Sequence, residues 1–261
     1  MHNHSLRRPE ELKTYYRDEG VVHTYLERRT AQPLNGLLHR RQVELLNQWV
    51  AEVRPGRVLE VACGPGRLTA EVQGVPFGVA VDASMPMLRL ARQRVAGTRW
   101  RFLRTDAFRL PFRDGSFDLV YSARFVRHFE LADRQRLYAE IQRVLAPKGF
   151  FVVDALNFDT SYPARLERGL EHYKIYDVLY RPGEAEQELE RAGFRVIRTE
   201  GILRWFPVQR RINRLRFRAP AFARWWIDML ERLPGNKPQT WMFFCEKAVC
   251  EDPATRAAQE H

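Results

Sequence analysis

The chain has 261 residues, 45% of them hydrophobic and 12% aromatic, and a formal net charge of +11 at pH 7. This composition excludes an intrinsically disordered chain and predicts one large globular domain, or one domain with appendages. Three cysteines form no disulfide framework, no run approaches 18 apolar residues, and the N-terminal stretch lacks a signal-peptide core, which together predict a reduced cytoplasmic protein. The positive charge favours an acidic substrate, nucleic acid or an anionic membrane surface as a partner.

Residues 1–50 interleave charged and apolar side chains at helical spacing. An apolar stripe runs through Tyr15 and Tyr16, and a stronger one runs through Leu38, Leu45 and Trp49. The pattern predicts a helical segment that precedes the first strand.

The stretch VLEVACGPGRLT, residues 58–69, reads as a buried strand that breaks into a glycine turn. Gly64 and Gly66 allow a sharp turn and a close approach of a ligand to the backbone. A helix is expected to begin near Leu68, with its N-terminus favouring an anionic group. The spacing differs from the dinucleotide pattern G-x-G-x-x-G, whose third glycine would fall on Arg67 or beyond.

A second apolar strand over residues 78–82 ends in Asp82, at about the distance from the turn at which an acid binds ribose hydroxyls. Ser84 suits the N-cap of the next helix, and Met87 lies either beside the adenine or in the core. A third strand over residues 100–103 leads to Asp106 and Ala107.

The rest of the chain continues the alternation of strands and helices. We predict strands over residues 117–121, 150–153, 194–199 and 240–247, with helices over 131–145 and 182–192. Two inserts interrupt this pattern, at residues 157–182 and 204–237.

These motifs, in register over residues 57–153, resemble the class I S-adenosylmethionine (SAM) dependent methyltransferases. The branch is the small-molecule type, similar to the ubiquinone and menaquinone biosynthesis enzymes (methyltransferase type 11). The family motif is an acid followed by three spaced glycines, of which Ala62 replaces the first. The resemblance implies an α/β fold: a seven-stranded, doubly wound, Rossmann-like sheet over residues 51–261, a helical cap over residues 1–50 and a helical insert before the last strand.

The resemblance also implies SAM as the cofactor and no metal site. Asp106 would accept a hydrogen bond from the adenine amine, and the Ala107 N–H would donate to a ring nitrogen. One of three tyrosines would stack near the cofactor: Tyr15, Tyr16 or Tyr25. The cofactor's carboxylate would be bound by Arg40 or Arg41. The alternative is that this segment is a solvated helix. The residues expected to bind the cofactor are Glu60, Ala62, Cys63, Gly64, Gly66, Asp82, Ala83, Met87, Asp106, Ala107 and Ser122.

His128, after the fourth strand, is the candidate catalytic base, because imidazole titrates near neutrality. The alternative is that it packs against the next helix. Arg124 is expected to hold an acidic group of the substrate; the alternative is a position on a solvated face. The insert at 157–182, with Tyr173 and Tyr176, is expected to form a wall of the acceptor pocket; the alternative is that these tyrosines pack in the core. Segment 122–125 lacks the Asn/Asp-Pro-Pro-aromatic run, and no cysteine fits a cytosine C5 mechanism, so both nucleic-acid methyltransferase classes are disfavoured.

Residues 204–232 carry eight arginines against Asp228 and Glu231, a net charge of +6, alternating with aromatic and aliphatic residues. This insert would be a lid packed on the substrate pocket, a peripheral contact with an anionic membrane, or a nucleic-acid surface. The predicted activity is methyl transfer from SAM to a small acceptor, lipophilic or lipid-linked. The alternatives are an RNA methyltransferase and a non-catalytic module that binds a membrane or a partner; the oligomeric state is left open.

Overall fold

The computed structural model describes residues 8–22, 24, 32–95 and 99–248. Its strands are β1 (Arg57–Val61), β2 (Phe77–Asp82), β3 (Trp100–Arg104), β4 (Phe117–Ser122), β5 (Leu145–Asn157), β6 (Leu179–Tyr180), β7 (Phe194–Ile202) and β8 (Thr240–Lys247). Its helices are α1 (Pro9–Tyr15), α2 (Pro33–Val53), α3 (Met85–Arg94), α4 (Leu131–Val144), α5 (Phe158–Arg168), α6 (Glu184–Arg191), α7 (Phe206–Ile212) and α8 (Pro220–Arg232).

The sheet has the order β3-β2-β1-β4-β5-β8-β7, with β6 beside the end of β5. All pairings are parallel except those of β8, which runs antiparallel to β5 and β7. The strand order reverses between β1 and β4. A crevice forms at such a switch point, outside the carboxyl ends of the strands, and ligands bind there in doubly wound sheets.

The strands are apolar because helices cover both faces of the sheet. On one face, α2 packs Leu46, Trp49 and Val50 against Tyr121 and Phe244. On the other, α4 and α6 pack against residues that point the opposite way along the same strands. This alternation fixes which side chains of each strand face which layer.

The predicted α/β fold is confirmed, with three corrections. The sheet has eight strands instead of seven, because the two-residue strand β6 is too short for a periodic pattern. Residues 64–71 form successive turns and no regular helix, so the expected helix start near Leu68 is wrong. Gly66 just before Leu68 and Gly74 just after Val72 have a positive φ, which leaves too short a segment between them for a regular helix. Strand β5 extends through Pro147 to Asn157, well beyond the expected 150–153.

The insert between β7 and β8 is helical, as expected, and packs on α2. Its buried side includes Phe206 and Ile227, and the Arg40 guanidinium contacts the Asp228 carboxylate at 2.6 Å. Both oxygens of buried Glu231 accept backbone N–H groups at the end of β7. Within the described ranges, no helix is both long and apolar enough to span a bilayer.

Candidate functional site

A cleft of about 1030 Å³, including its open mouth, lies at the carboxyl ends of β1, β2, β3 and β4. The glycine turn, the ends of β2 and β3, the segment after β4 and helix α1 each contribute to its wall. The cleft therefore lies at the switch point of the sheet.

Asp82 joins the glycine turn to the end of β2. Its Oδ2 accepts a hydrogen bond from the Gly64 N–H at 2.8 Å, and its Oδ1 accepts one from the Ser84 N–H at 2.8 Å. Burial raises the pKa of Asp82, and these backbone N–H groups act in the opposite direction. Because each carboxylate oxygen can accept a second hydrogen bond, Asp82 holds the turn and can still bind hydroxyl groups of a ligand.

The glycine turn has a left-handed backbone at Ala62, Gly64 and Gly66, with φ of +58°, +54° and +72°. A Cβ on Gly64 would meet no atom within 4 Å, so its backbone faces open space in the cleft. A Cβ on Gly66 would lie 3.0 Å from the Cα of Ala91 in α3. Gly64 thus serves approach by a ligand, and Gly66 serves packing of the turn on α3.

Glu60 is buried at the end of β1 and borders the cleft. Its Oε2 accepts hydrogen bonds from the Tyr121 hydroxyl, at 2.8 Å, and from the Thr69 hydroxyl. Burial raises the pKa of Glu60 to about 7, against the opposing effects of these hydroxyls and of Arg67. The cleft therefore holds a carboxyl group that ionises near neutral pH.

Helix α1 closes the cleft beside Asp106. Lys13 Nζ lies 2.7 Å from Asp106 Oδ2 and 2.6 Å from Glu10 Oε1, and the Ser84 hydroxyl donates to the Tyr16 carbonyl at 2.6 Å. Burial lowers the pKa of Lys13, but the two carboxylates outweigh this effect and raise it overall. Asp106 Oδ1 accepts from the Phe108 N–H.

Three aromatic rings form the wall of the cleft after β3 and β4. Phe129 lies edge-on to both Phe108 and Phe125, with ring centroids 5.3 Å and 4.9 Å apart. Arg124 also borders the cleft, with φ of +61°, and its N–H donates to Asp154 Oδ1. In the described part of the chain, the buried Nε of Arg124 has no hydrogen-bond partner.

His128 borders the same cleft and is oriented by Asp177. Its Nδ1 lies 2.9 Å from Asp177 Oδ1 and 3.0 Å from the Tyr176 carbonyl. Both neighbours are acceptors, so Nδ1 is the donor and Nε2 is the basic nitrogen of the neutral ring. Burial acts to raise the pKa of Asp177, but the charges of His128 and Arg127 prevail and hold it well below its usual value.

Arg127 and Arg165 complete this buried cluster. Arg127 contacts Asp154 Oδ2 at 2.9 Å and Asp177 Oδ1 at 3.1 Å, and Arg165 contacts Asp177 Oδ2 at 2.5 Å. Asp154 lies on β5, so the cluster ties the end of β5 to the insert that carries Asp177. The described part of the chain contains no group of three potential metal-binding side chains.

Comparison with known proteins decides the family. Residues 58–149, which contain the glycine turn, Asp82 and Asp106, match the description "Methyltransferase domain". Over residues 58–149, the chain belongs with the class I methyltransferases. The same segment carries the turn and both acids of the cleft.

Two curated relatives extend this result. The demethylmenaquinone methyltransferase of Thermus thermophilus is 40% identical over 119 residues, which cover 44% of this chain and 51% of the relative. The probable tRNA methyltransferase 9B of Bos taurus is 28% identical over 136 residues, covering 51% of this chain and 27% of the relative. The chain thus spans about half of the first relative and about a quarter of the second.

A solved structure shows the same fold over nearly the whole chain. The magnesium protoporphyrin IX methyltransferase of Synechocystis, crystallised with bound SAH, has a TM-score of 0.65 at 12% identity. The alignment covers 92% of this chain and 100% of that one. The two proteins therefore share their overall fold.

Most of the predicted cofactor residues line the cleft of the methyltransferase domain. They are Glu60, Ala62, Cys63, Gly64, Asp82, Ala83, Met87, Asp106 and Ala107. Gly66 packs on α3 instead, and the buried Ser122 hydroxyl donates to the Val61 carbonyl, so neither borders the cleft. Tyr16 borders it and Tyr15 packs edge-on to Tyr16; Tyr25 lies outside the described residues.

The predicted acceptor residues divide in the same way. His128 and Arg124 line the cleft. Tyr173 instead lies under the Arg165 guanidinium, 4.6 Å from ring centroid to Cζ, and Tyr176 contributes its carbonyl to His128. Among the described residues, none from the inserts at 157–182 and 204–237 lines the cleft, so neither the expected wall nor the expected lid contacts it.

The arginines proposed for the cofactor carboxylate are also placed elsewhere. Arg40 contacts Asp228 and Arg41 contacts Glu44. Arg67 borders the cleft, and its guanidinium donates to the Gln42 side chain on α2 at 2.9 Å. Because Arg67 directly follows Gly66 in the glycine turn, its place beside the cleft could have been predicted from the sequence.

Other residues in the cleft, or in contact with residues that line it, were missed. Asp154 ends a parallel strand region as Asp82 does, so the same reasoning would have found it. Lys13 and Asp177 carry no signal in the sequence, because long-range packing alone brings Lys13 to the cleft and Asp177 to His128.

Proposed function

We propose that this protein transfers a methyl group from SAM to a small lipophilic acceptor. The observation that carries the proposal is the hydrogen bond from Gly64 N–H to Asp82 in a cleft that also contains Asp106. The three elements come from three different strand ends, and a glycine turn with a carboxylate on each side suits a nucleoside ligand.

The residues present fit the cofactor. Asp82 would accept from the ribose hydroxyls, Asp106 from the adenine amine, and the open Gly64 backbone would lie against the ligand. When bound, SAM supplies a methyl group on a positively charged sulfur. We infer that Arg67, rather than Arg40 or Arg41, would hold its carboxylate, because Arg67 borders the cleft and is fixed by Gln42.

The acceptor is proposed to lie against Phe108, Phe125 and Phe129. An aromatic wall favours a flat apolar molecule. The unpartnered Nε of Arg124 favours a molecule that also carries an oxygen, because a buried donor without a partner is costly. A quinol has both properties, and the Thermus relative is named for a quinone substrate. Such an acceptor partitions into membranes, so we also propose that the protein works at a membrane surface.

His128 is proposed as the base that removes a proton from the acceptor. With Nδ1 bound to Asp177 and the Tyr176 carbonyl, the neutral ring offers Nε2 as the proton acceptor. Asp177 acts through His128, so its role is positioning and charge compensation of the imidazolium. Arg127 and Arg165 fix Asp177 in turn.

The test measures binding and transfer in the same preparations. Calorimetry with SAM and SAH gives affinity, and transfer of a radiolabelled methyl group to demethylmenaquinol, a small quinol or unmodified tRNA gives the acceptor class. Gly64→Val is expected to abolish binding. Gly183→Val is the matched control, because Gly183 also has a positive φ and open space around its Cβ but lies outside the cleft.

An RNA methyltransferase is the second candidate. The net charge of +11 and the tRNA methyltransferase relative favour it. Methylation of tRNA, with salt-sensitive binding and no transfer to the quinols, would replace the first proposal. SAM binding without transfer to any of these acceptors would favour a non-catalytic module, and no SAM binding would overturn all three.

A further inference from the structure

The insert carries large apolar side chains on its outer surface. Phe217, Phe222 and Trp225 are 80%, 52% and 59% exposed. The inner side of the same helix α8 is already buried through Ala223 and Ile227. The helix thus has a second apolar face, and we call Arg216, Phe217, Phe222, Arg224 and Trp225 the aromatic-arginine surface.

The positive charges at this surface are not neutralised by the part of the chain that the structure describes. In the described ranges, Arg216, Arg218 and Arg224 have no acidic partner within 4.0 Å. By contrast, Arg210 and Arg214, farther from the exposed rings along the chain, both contact Glu167. Arg216, Arg218 and Arg224, which lack an acidic partner among the described residues, therefore lie next to the exposed rings along the chain.

A shallow pocket joins these charges to the N-terminal part of α2. It is lined by Arg40, Arg216, Phe217 and Arg224, together with Pro33 and Pro220. Arg40 is paired with Asp228, whereas Arg216 and Arg224 have no carboxylate partner among the described residues. The pocket fits an anionic group such as a phosphate diester.

The arrangement favours a bilayer over single-stranded nucleic acid. The Arg216 guanidinium covers the ring of Phe217, 4.0 Å from its centroid, and Trp225 packs edge-on to Trp226. A nucleic-acid strand is bound along a positively charged groove that follows its backbone, whereas these arginines border a single shallow pocket. Exposed aromatic rings beside arginines suit the interface of a membrane with anionic headgroups.

We propose that the aromatic-arginine surface docks the protein on a bilayer that contains anionic phospholipid, with a lipid phosphate in the pocket between Arg216 and Arg224. The inference deepens the proposed function. It rests on that function only in its explanation of why the protein would bind a membrane, which is access to an acceptor dissolved there. The contact itself is independent of methyl transfer.

The test is flotation of the full chain with vesicles. Phosphatidylcholine vesicles with and without phosphatidylglycerol are compared at low and high salt. We expect binding only with phosphatidylglycerol, and loss of about tenfold or more in partitioning for Arg216→Glu with Arg224→Glu. Phe217→Ala with Trp225→Ala is expected to weaken binding at both salt concentrations.

The matched control is Arg101→Glu with Arg113→Glu, two exposed arginines outside the insert, which is expected to keep wild-type partitioning. SAH titration of every variant checks the fold and separates this proposal from the proposed activity. The proposal would be overturned by an equal loss of partitioning in the control or by binding to neutral vesicles alone. It would also be overturned if the chain does not float with vesicles while single-stranded RNA or a second copy of the chain binds to this surface.

Discussion

The Lys13 ammonium lies 2.7 Å from the Asp106 carboxylate, so helix α1 holds an ion pair where the cofactor's adenine amine is expected. A lysine and an exocyclic amine both donate to the same acceptor. The cap and the ligand therefore compete for Asp106 unless α1 moves or the carboxylate is shared.

We expect Lys13→Met to tighten SAH binding about fivefold, because a partly exposed ion pair of about 1 kcal/mol no longer competes with the ligand. Calorimetry measures the change. Lys13→Arg should keep the wild-type affinity. Weaker binding by Lys13→Met would mean that Lys13 supports the ligand instead.

Arg67→Met should weaken SAM binding about 10- to 100-fold, since a charge-assisted hydrogen bond to the cofactor's carboxylate is lost. Arg40→Met, which removes a surface contact with Asp228, should leave affinity unchanged. Adenosine, which lacks the carboxylate, should bind both variants like the wild type. An effect of Arg67→Met on adenosine equal to that on SAM would contradict this assignment.

Ala62→Gly should stabilise the fold by about 0.5 to 1 kcal/mol, because Ala62 has φ of +58° and glycine adopts this conformation without strain. Denaturant unfolding measures the gain. Ala139→Gly, at an exposed position in α4, should destabilise by about 1 kcal/mol. Changes of the same sign in both variants would refute the strain at Ala62.

Glu60 should make stability depend on pH. Because the folded state raises its pKa from 4.5 to about 7, its contribution is full below pH 4.5 and is lost as the pH rises through about 7, a decrease of about 3 kcal/mol. Urea unfolding across pH 4.5–8 measures this slope. Glu60→Gln should flatten the slope of the unfolding free energy against pH, whereas the surface variant Glu44→Gln should leave it unchanged. An unchanged slope in Glu60→Gln would count against the raised pKa of the buried carboxyl.

Asp177→Asn should lower the transfer rate at least about tenfold and leave SAM affinity nearly unchanged, because His128 loses its orienting acceptor. The double variant Asp177→Asn with His128→Ala should lose little more activity than His128→Ala alone. If the losses of activity in the two single variants add up, Asp177 acts independently of His128. The surface control is Asp159→Asn.

The sequence predicted much of this protein because its signals are local. Apolar runs such as 58–61 mark strands buried on both faces, and glycine or an acid at the next position marks a strand end. Since parallel strands end at one edge of the sheet, Gly64, Asp82 and Asp106 could be assigned to one site before any coordinate was known. Even Ala62 keeps the left-handed backbone of the glycine it replaces.

Only the tertiary structure decided what surrounds that site. Lys13 and Asp106 are 93 positions apart in sequence, and Asp177 is 49 positions from His128; no periodicity encodes such pairs. The same holds for the phenylalanines that line the cleft in place of Tyr173 and Tyr176, and for an insert that packs on α2 instead of over the cleft. Strand ends follow from local backbone chemistry, whereas the choice among several arginines or aromatic rings depends on how distant elements pack.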